Sequence, residues 1–513
     1  MKKLAFAALL VLGALYVQAQ KVSIEGVRFA SLRQSSAIKE GSEVKGYYFF
    51  YVSDKIDKKT NEYTLRIMDD NLKVLKDIKF TDSKYVSILE SSFNGTDLIF
   101  LLYNDDERTF EYQVYGADGK KKYVYNRQLS KREENYLRQS YLAGNEENAY
   151  KGLFPLEGKG FISNMPSTED KDMTFQLDFF STQKKKQWSY IPTAGAKRFY
   201  GDYLGTHNGV VYLEVLKYAR IMDQTPESVM IGLDLETGKQ LFEIPTDKSK
   251  YKFYPANMIV LNDGKSYIFG EYFNPNANIM KDKSLGFAFW GIDEKGKILN
   301  EKYNSWDLEL GKFLNVSSKG KIDDFGFMYL HNLVQTSDGS LYAVGEGYKK
   351  VASALGIITQ VASAGQSGTS VTKLKITDMM LIKFDKDFNV REAKIFIKND
   401  NNFELPAGAA YASTALIGKY IRAFGGFDYN YTQSNKDNSS FTVTYSDYVR
   451  GKDYKGGTFN SISFYDGKIT TDKINTKSDA TSSWVLPGKQ GQVLMVDYYR
   501  KDKRLEAHFE KLN

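Results

Sequence analysis

Residues 262–273 read NDGKSYIFGEYF and residues 337–348 read SDGSLYAVGEGY. Each stretch opens on a tight turn whose glycine supplies the positive φ that a short hairpin loop needs, then runs into a strand rich in Tyr, Phe and Val. Both place Gly-Glu at the same offset, so Glu271 and Glu346 stand seven residues after Gly264 and Gly339. A repeated hairpin carrying a repeated carboxylate governs how the rest of the chain is read, because an overlooked repeat misassigns the whole fold.

Working outward, similar first turns lie at Asn94-Gly95, Asn208-Gly209, Gly418 and Gly491, with weaker ones near Gly46 and Gly160, at steps of 49 to 79 residues. A second turn recurs as Asp118-Gly119, Glu236-Thr237-Gly238, Glu294-Lys295-Gly296, Asp387-Phe388-Asn389 and Asp466-Gly467, each after an alternating strand such as MIGLDLETG at 230–238. Four antiparallel strands per unit at that spacing resemble the blades of a β-propeller. The last unit, after Gly491, has no room for a fourth strand, and residues 21–29 are left over at the other end. A leftover N-terminal strand that completes the C-terminal blade closes the ring and removes its free edges. The sequence therefore predicts an all-β propeller of four-stranded antiparallel blades, eight in number with seven as the alternative, carrying short helical inserts on one face. Two consecutive β-sandwich or split-barrel domains are the competing reading. The lack of a Pro/Ser/Gly-rich divider favours one body over 20–513.

The 513 residues are 42% hydrophobic and 14% aromatic, and 37 Tyr and 33 Phe against 9 Pro favour strands over disorder. With no cysteine, disulfides, thiol catalysis and Cys-ligated zinc or iron–sulfur sites are excluded. Lys2 and Lys3 precede an apolar run over 4–17, and Val17-Gln18-Ala19 offers small residues before a cut. This is the pattern of a secretory signal peptide over 1–19, and the run is shorter than the roughly 20 residues of a bilayer span. The expected address is the periplasm or the outside of the cell, with no transmembrane span after signal removal. The net charge of +7 includes the two signal lysines. The lysine runs at 120–122 and 184–186 sit beside turns rather than forming a stripe, so no nucleic-acid partner is expected.

Chemistry is sparse. His207, His331 and His508 show neither metal-ligand nor triad spacing. Residues 385–389 imitate the start of a calcium loop, but Val390 replaces the required glycine and Phe396 the bidentate glutamate, so the segment reads as a turn. No cofactor is expected. Glu271 and Glu346 are the one catalytic candidate: two carboxylates brought together can serve as general acid and base on a glycoside. The plainer reading, favoured by the repetition itself, is that each hydrogen-bonds within the blades.

In a four-stranded blade the tight turns share one face of the ring. The long inserts, 130–144, 220–227, 273–284, 304–324, 348–377 and 429–457, are assigned to the other, where binding residues are expected. Ser130 and Glu133 form a capping box for a helix. Val351, Leu355, Ile358 and Ala362 make an apolar stripe over 351–362, read as a helix packed over the channel or, alternatively, as a docking element. Tyr429, Tyr431, Tyr445 and Tyr448, with Tyr454, sit among small polar residues as recognition surface, or else pair across a hairpin that extends a blade. Leu355, Ile358 and the first four tyrosines are the binding candidates.

The WD-like Trp306-Asp307, the Kelch-like Gly425-Gly426 and the quinoprotein-like stretch at 234–239 each occur once. The chain as a whole is similar to the divergent, functionally uncharacterised secreted β-propeller-like families of Gram-negative, Bacteroidetes-type bacteria. That resemblance implies a fold and export but no activity. Two classes of function stay open: a noncatalytic propeller that binds an envelope protein or glycan through its long-loop face, and a glycan-active hydrolase or lyase using the paired carboxylates.

Overall fold

The computed structural model describes residues 21–512 apart from 117, 141–150, 170–171, 184, 194, 221–224, 353–371, 406–411 and 477. Among the described residues the strands gather into eight antiparallel sheets. Seven take consecutive strands in chain order: blade 1 (29–83), blade 2 (86–128), blade 3 (153–190), blade 4 (198–245), blade 5 (252–305), blade 6 (327–396) and blade 7 (429–475). Blade 6 adds a short fifth strand, Asn401–Glu404, beside Thr372–Phe384. Blade 8 (482–511) supplies three strands of its own, and Lys21–Glu25 supplies the fourth, with Lys21 opposite His508 and Glu25 opposite Arg504. The ring is an eight-bladed β-propeller.

Burial follows position in the blade. Gly286–Ile292, a third strand, is buried at every residue because neighbouring blades cover both of its faces. Lys468–Asn475, an outer strand, buries none. The cores therefore lie between blades: Tyr48 and Phe50 of blade 1 pack with Leu98 and Phe100 of blade 2. There the Tyr48 ring meets Phe100 edge-on at 5.1 Å. Full burial of one such ring contributes about 1.5–3 kcal/mol, so the stacking of blades rather than any single sheet holds the ring together.

The first turns at Gly95, Gly209, Gly264, Gly339 and Gly491 fall where expected, each with positive φ. Others are corrected. Blade 1 turns at Gly41 and blade 3 at Gly158, while Gly46 and Gly160 already belong to second strands. Gly418 is not a turn residue at all; it lies inside a helix, α2 below. Residues 429–457 are not an insert, since Tyr429–Ser434 and Ser440–Arg450 are the first two strands of blade 7. Their tyrosines do pair across strands, Tyr429 opposite Tyr445. Val351 and Ala352 end the second strand of blade 6 (Leu341–Ala352) instead of opening a helix, and Leu355, Ile358 and Ala362 lie outside the described residues.

Among the described residues two α-helices of ten residues each stand in the links between blades. In α1 (Lys131–Ser140) the capping box forms, with the Glu133 N–H donating to Ser130 Oγ at 3.2 Å and the Ser130 N–H to Glu133 Oε2 at 2.7 Å. The second, α2 (Thr414–Ala423), occupies the link between blades 6 and 7 and is capped by Ser413. No helix among the described residues is long and apolar enough to cross a membrane.

Candidate functional site

The site grows from a register repeated in three consecutive blades. The first strands of blades 4, 5 and 6 bulge just after Tyr203, Pro255 and Leu330. One residue before each bulge, Asp202 faces Glu214, Tyr254 faces Glu271 and Tyr329 faces Glu346 on the second strand. The structure thus sets three glutamates at equivalent points. Glu214 escapes a count from the turn glycines because blade 4 turns in two residues, His207 opposite Val210, whereas blades 5 and 6 use longer loops. Counting from the bulge recovers it.

Helix α2 lies across these blades. Ser413 N–H donates to the Met280 carbonyl of blade 5 at 2.7 Å, and the Tyr348 hydroxyl of blade 6 donates to the Thr414 carbonyl. Lys419 reaches blade 4, with its Nζ 2.8 Å from Asp202 Oδ2 and 3.6 Å from Glu214 Oε2, and it sits 4.3 Å over the Tyr254 ring. Gly418 is required where it stands: a Cβ there would come within 2.5 Å of the Tyr329 ring. A capping helix, α2, does lie against these blades; of the 351–362 segment to which the sequence pointed, 353–362 lie outside the described residues.

The three glutamates differ sharply in surroundings. Glu346 has no exposed surface and all its acceptor positions are used. Oε1 takes the Asp428 N–H at 3.0 Å and stands 3.3 Å from Lys398 Nζ; Oε2 takes the Tyr429 N–H at 3.0 Å and lies 3.2 Å from His331 Nε2. Burial acts to raise its pKa, but His331, Lys398 and the two backbone donors prevail and hold the carboxyl below its ordinary range. Burial depresses His331, so the neutral ring donates to this carboxylate. Lys398 also holds Asp428 at 2.6 Å, yet burial and the charge of Glu346 push Asp428 up to about 6, one ammonium being shared between two acids. Glu90 makes the same clasp between blades 2 and 3, accepting the Gly152 and Leu153 N–H groups at 2.8 and 3.1 Å.

Glu214 is 2% exposed, and its Oε1 has no hydrogen-bond partner among the described residues. Burial raises it to about 7 against the pull of Lys419, with Asp202 adding repulsion. Glu271 is likewise raised to about 7 by burial, opposed by Ser284 and Lys419. It is half-buried, with some accessible surface. Two carboxyls poised near neutrality beside one ammonium can donate or accept a proton; Glu346, fully engaged, is a clasp.

The tyrosine candidates do not form one patch. Tyr429 stacks on His331 at 4.3 Å, Tyr431 faces Lys39, Tyr445 is buried, and Tyr448 donates to the Asp400 carbonyl at 3.2 Å. The aromatic groups that do gather near α2 are Tyr136 of α1 and Tyr200, whose ring centres are 6.5 Å apart, and Tyr218, 5.5 Å from Tyr200. Arg422 is exposed at the end of α2 and donates to the Tyr329 hydroxyl at 3.4 Å. A separate cleft of about 390 Å³ opens on the short-turn face between blades 4 and 5, by His207, Tyr267, Asp293 and Leu299. It is remote from the carboxylates, and His207 there is already bonded to the Gly264 carbonyl at 2.9 Å. Among the described residues no three His, Asp or Glu side chains converge as metal ligands.

An eight-bladed propeller whose inner strands carry repeated carboxylates under a capping helix defines the class of protein. The chain belongs to DUF6770, a family of unknown function whose model matches residues 1–513. No curated protein matches it. Among solved structures it is similar to the β-propeller domain of the Trilobed protease from Pyrococcus furiosus, at 11% identity and a TM-score of 0.37, covering 88% of this chain and 97% of that one. It is also similar to puromycin hydrolase (9% identity, TM-score 0.38, 80% of this chain and 50% of that one). A third is a putative dipeptidyl aminopeptidase IV from Bacteroides ovatus (11%, 0.31, 64% and 46%). The chain spans about half the length of these last two.

Proposed function

We propose that this protein is an exported, noncatalytic binding propeller that recognises an envelope protein or glycan through its long-loop face. On this reading the chain is cleaved after Ala19, leaving 20–513 as one propeller in the periplasm or outside a Bacteroidetes-type cell. The observation that carries it is the aromatic pair Tyr136 and Tyr200, 6.5 Å apart, with Arg422 reaching Tyr329 from the end of α2, aromatic and charged side chains on the elements that link the blades. Leu355, Ile358 and Tyr448 belong to the same reading as candidate contacts. The test is retention on immobilised envelope proteins and glycans, with Tyr136→Ala and Arg422→Ala beside the parent. Retention of the parent and at least a roughly tenfold loss in the variants is expected, as for central aromatic and Arg anchors. No retention of the parent on any surface overturns it.

A glycan-active hydrolase or lyase is the second reading, and the rise of Glu271 to about 7 favours it, since a general acid must hold its proton at working pH. The four partners of Glu346 weigh against that residue as the second group. Turnover on a polysaccharide panel, lost in Glu271→Gln, supports the enzyme reading; none on any substrate rejects it.

A further inference from the structure

Because the four strands of a blade run antiparallel, the stretch joining its second and third strands lies at the end opposite the tight glycine turns, on the long-loop face. In three consecutive blades that stretch is basic: residues 450–455 of blade 7 read RGKDYK, residues 500–504 of blade 8 read RKDKR and residues 55–59 of blade 1 read KIDKK. Each sets three or four basic side chains against one aspartate. The equivalent stretch of blade 2, residues 104–108, reads NDDER and has the opposite sign. The basic stretches come from the two ends of the chain, and only closure of the ring makes them neighbours.

The contacts between these blades are direct. The Val27 N–H donates to the Lys503 carbonyl of blade 8 at 2.7 Å, and the Arg28 N–H to the Val52 carbonyl of blade 1 at 2.9 Å. Blade 7 packs on blade 8 through Phe459, Val493 and Met495. Little of the charge is compensated within the chain. Arg28 pairs with Asp54 at 2.8 Å and Arg504 with Glu506, while Asp57 accepts the Lys59 and Thr60 N–H groups of its own turn. Among the described residues Lys55, Lys58, Lys59, Lys452, Lys501 and Lys503 form no ion pair, and all six are exposed. Phe29 and Ile56, next to Arg28 and Lys55 in the chain, are 48% and 55% exposed. Three loops at one end of a ring lie side by side, so a flat partner meets them together. A soluble polyanion would answer the charge and leave Phe29 and Ile56 in water, whereas a bilayer with anionic headgroups takes up both.

We propose that blades 7, 8 and 1 form a docking surface for an anionic lipid bilayer, with the lysines of the three loops on the headgroups and Phe29 and Ile56 entering the boundary between headgroups and acyl chains. This goes beyond the binding reading above, uses none of its contacts on α1 and α2, and is tested apart from it.

Residues 20–513 hold every blade of the ring and omit the apolar run over 4–17, which would bind lipid by itself, so they are the chain to test. Flotation with vesicles of phosphatidylcholine and phosphatidylglycerol should recover the protein, vesicles of phosphatidylcholine alone should not, and recovery should fall as sodium chloride rises. Lys58→Gln, Lys59→Gln, Lys501→Gln and Lys503→Gln together should weaken partitioning by roughly a hundredfold or more, at about fivefold per charge. Ile56→Ser should weaken it about tenfold and leave the salt dependence as it was. All five positions are exposed, so neither variant should shift the melting temperature. Asp106→Asn with Glu107→Gln, in the acidic loop of blade 2, should not weaken binding. No recovery with the anionic vesicles, or equal recovery of the parent and the four-lysine variant, overturns the proposal. Binding to soluble polygalacturonate without binding to vesicles, or vesicle binding indifferent to Ile56→Ser, overturns the bilayer as the partner and assigns the loops to a polyanion. Retention on envelope proteins and glycans through Tyr136 and Arg422 is a separate measurement, so either reading can fail while the other stands.

Discussion

Glu346 and Lys398 stand 3.3 Å apart with neither side chain exposed to solvent, and they join blade 6 to the link that leads into blade 7. The pair is completed by Asp428 on the lysine and by two backbone N–H groups on the glutamate. Buried ion pairs are justified only by such full satisfaction, because each charge alone has lost its hydration.

Glu346→Ala therefore leaves two backbone donors and the His331 ring without their acceptor and Lys398 with Asp428 alone. The expected cost is about 3–5 kcal/mol in denaturant unfolding of the chain. A loss below about 1 kcal/mol would show that water replaces the carboxylate, and the clasp would not be a structural necessity.

Glu214 titrates the other way. Its folded-state pKa, about 7, lies above the ordinary 4.5, so the folded chain holds this proton more tightly than the unfolded one. The associated stability is present below about 4.5 and is lost as pH rises through about 7. Glu214→Gln should remove on the order of 2 kcal/mol of that decline, read from urea midpoints between pH 4.5 and 7.5. An unchanged slope would place the titration elsewhere.

Lys419 fastens α2 to blade 4, while the body of the ring does not depend on it. Lys419→Met should speed amide exchange over 414–423 by about tenfold and leave the exchange of blade cores alone. If α2 amides exchange as in the parent, the helix is held by its buried Leu416, Ile417 and Ile421 rather than by the ammonium.

Removing residues 21–25 bares the edge of Arg504–Lys511 and uncovers the pocket filled by Ile24, which is 1% exposed. Ile24→Asp puts an unpaired charge into the same pocket and should cost several kcal/mol, on the order of 3–5. The shortened chain should associate through its free strand, visible as a larger species in gel filtration. A shortened chain as stable and monomeric as the parent would mean that closure is not needed.

The blade count, the strand grammar and the capping box of α1 were legible because each rests on neighbours in the chain: a glycine at positive φ, an alternating run, a serine three residues before a glutamate. The Tyr429–Tyr445 pair was legible as a hairpin for the same reason, although 429–457 was placed between blades when it begins one. Helix α2 was not legible, since its central Gly418 looks like a turn and is explained only by the Tyr329 ring pressing on it from blade 6.

Local sequence alone settled that this chain makes four-stranded units and where most of them turn, because turn chemistry and burial on both faces of a strand are properties of short stretches. Tertiary structure decided what the repeated glutamates do. Glu346 and Glu271 have the same offset and the same Gly before them, yet one is held ionised by Lys398 and His331 while the other is driven toward its neutral form by burial. Their partners come from other strands and loops of the blade or from the link that follows blade 6, not from adjacent residues, and the field at a carboxyl is set by what is packed within a few ångströms rather than by what precedes it.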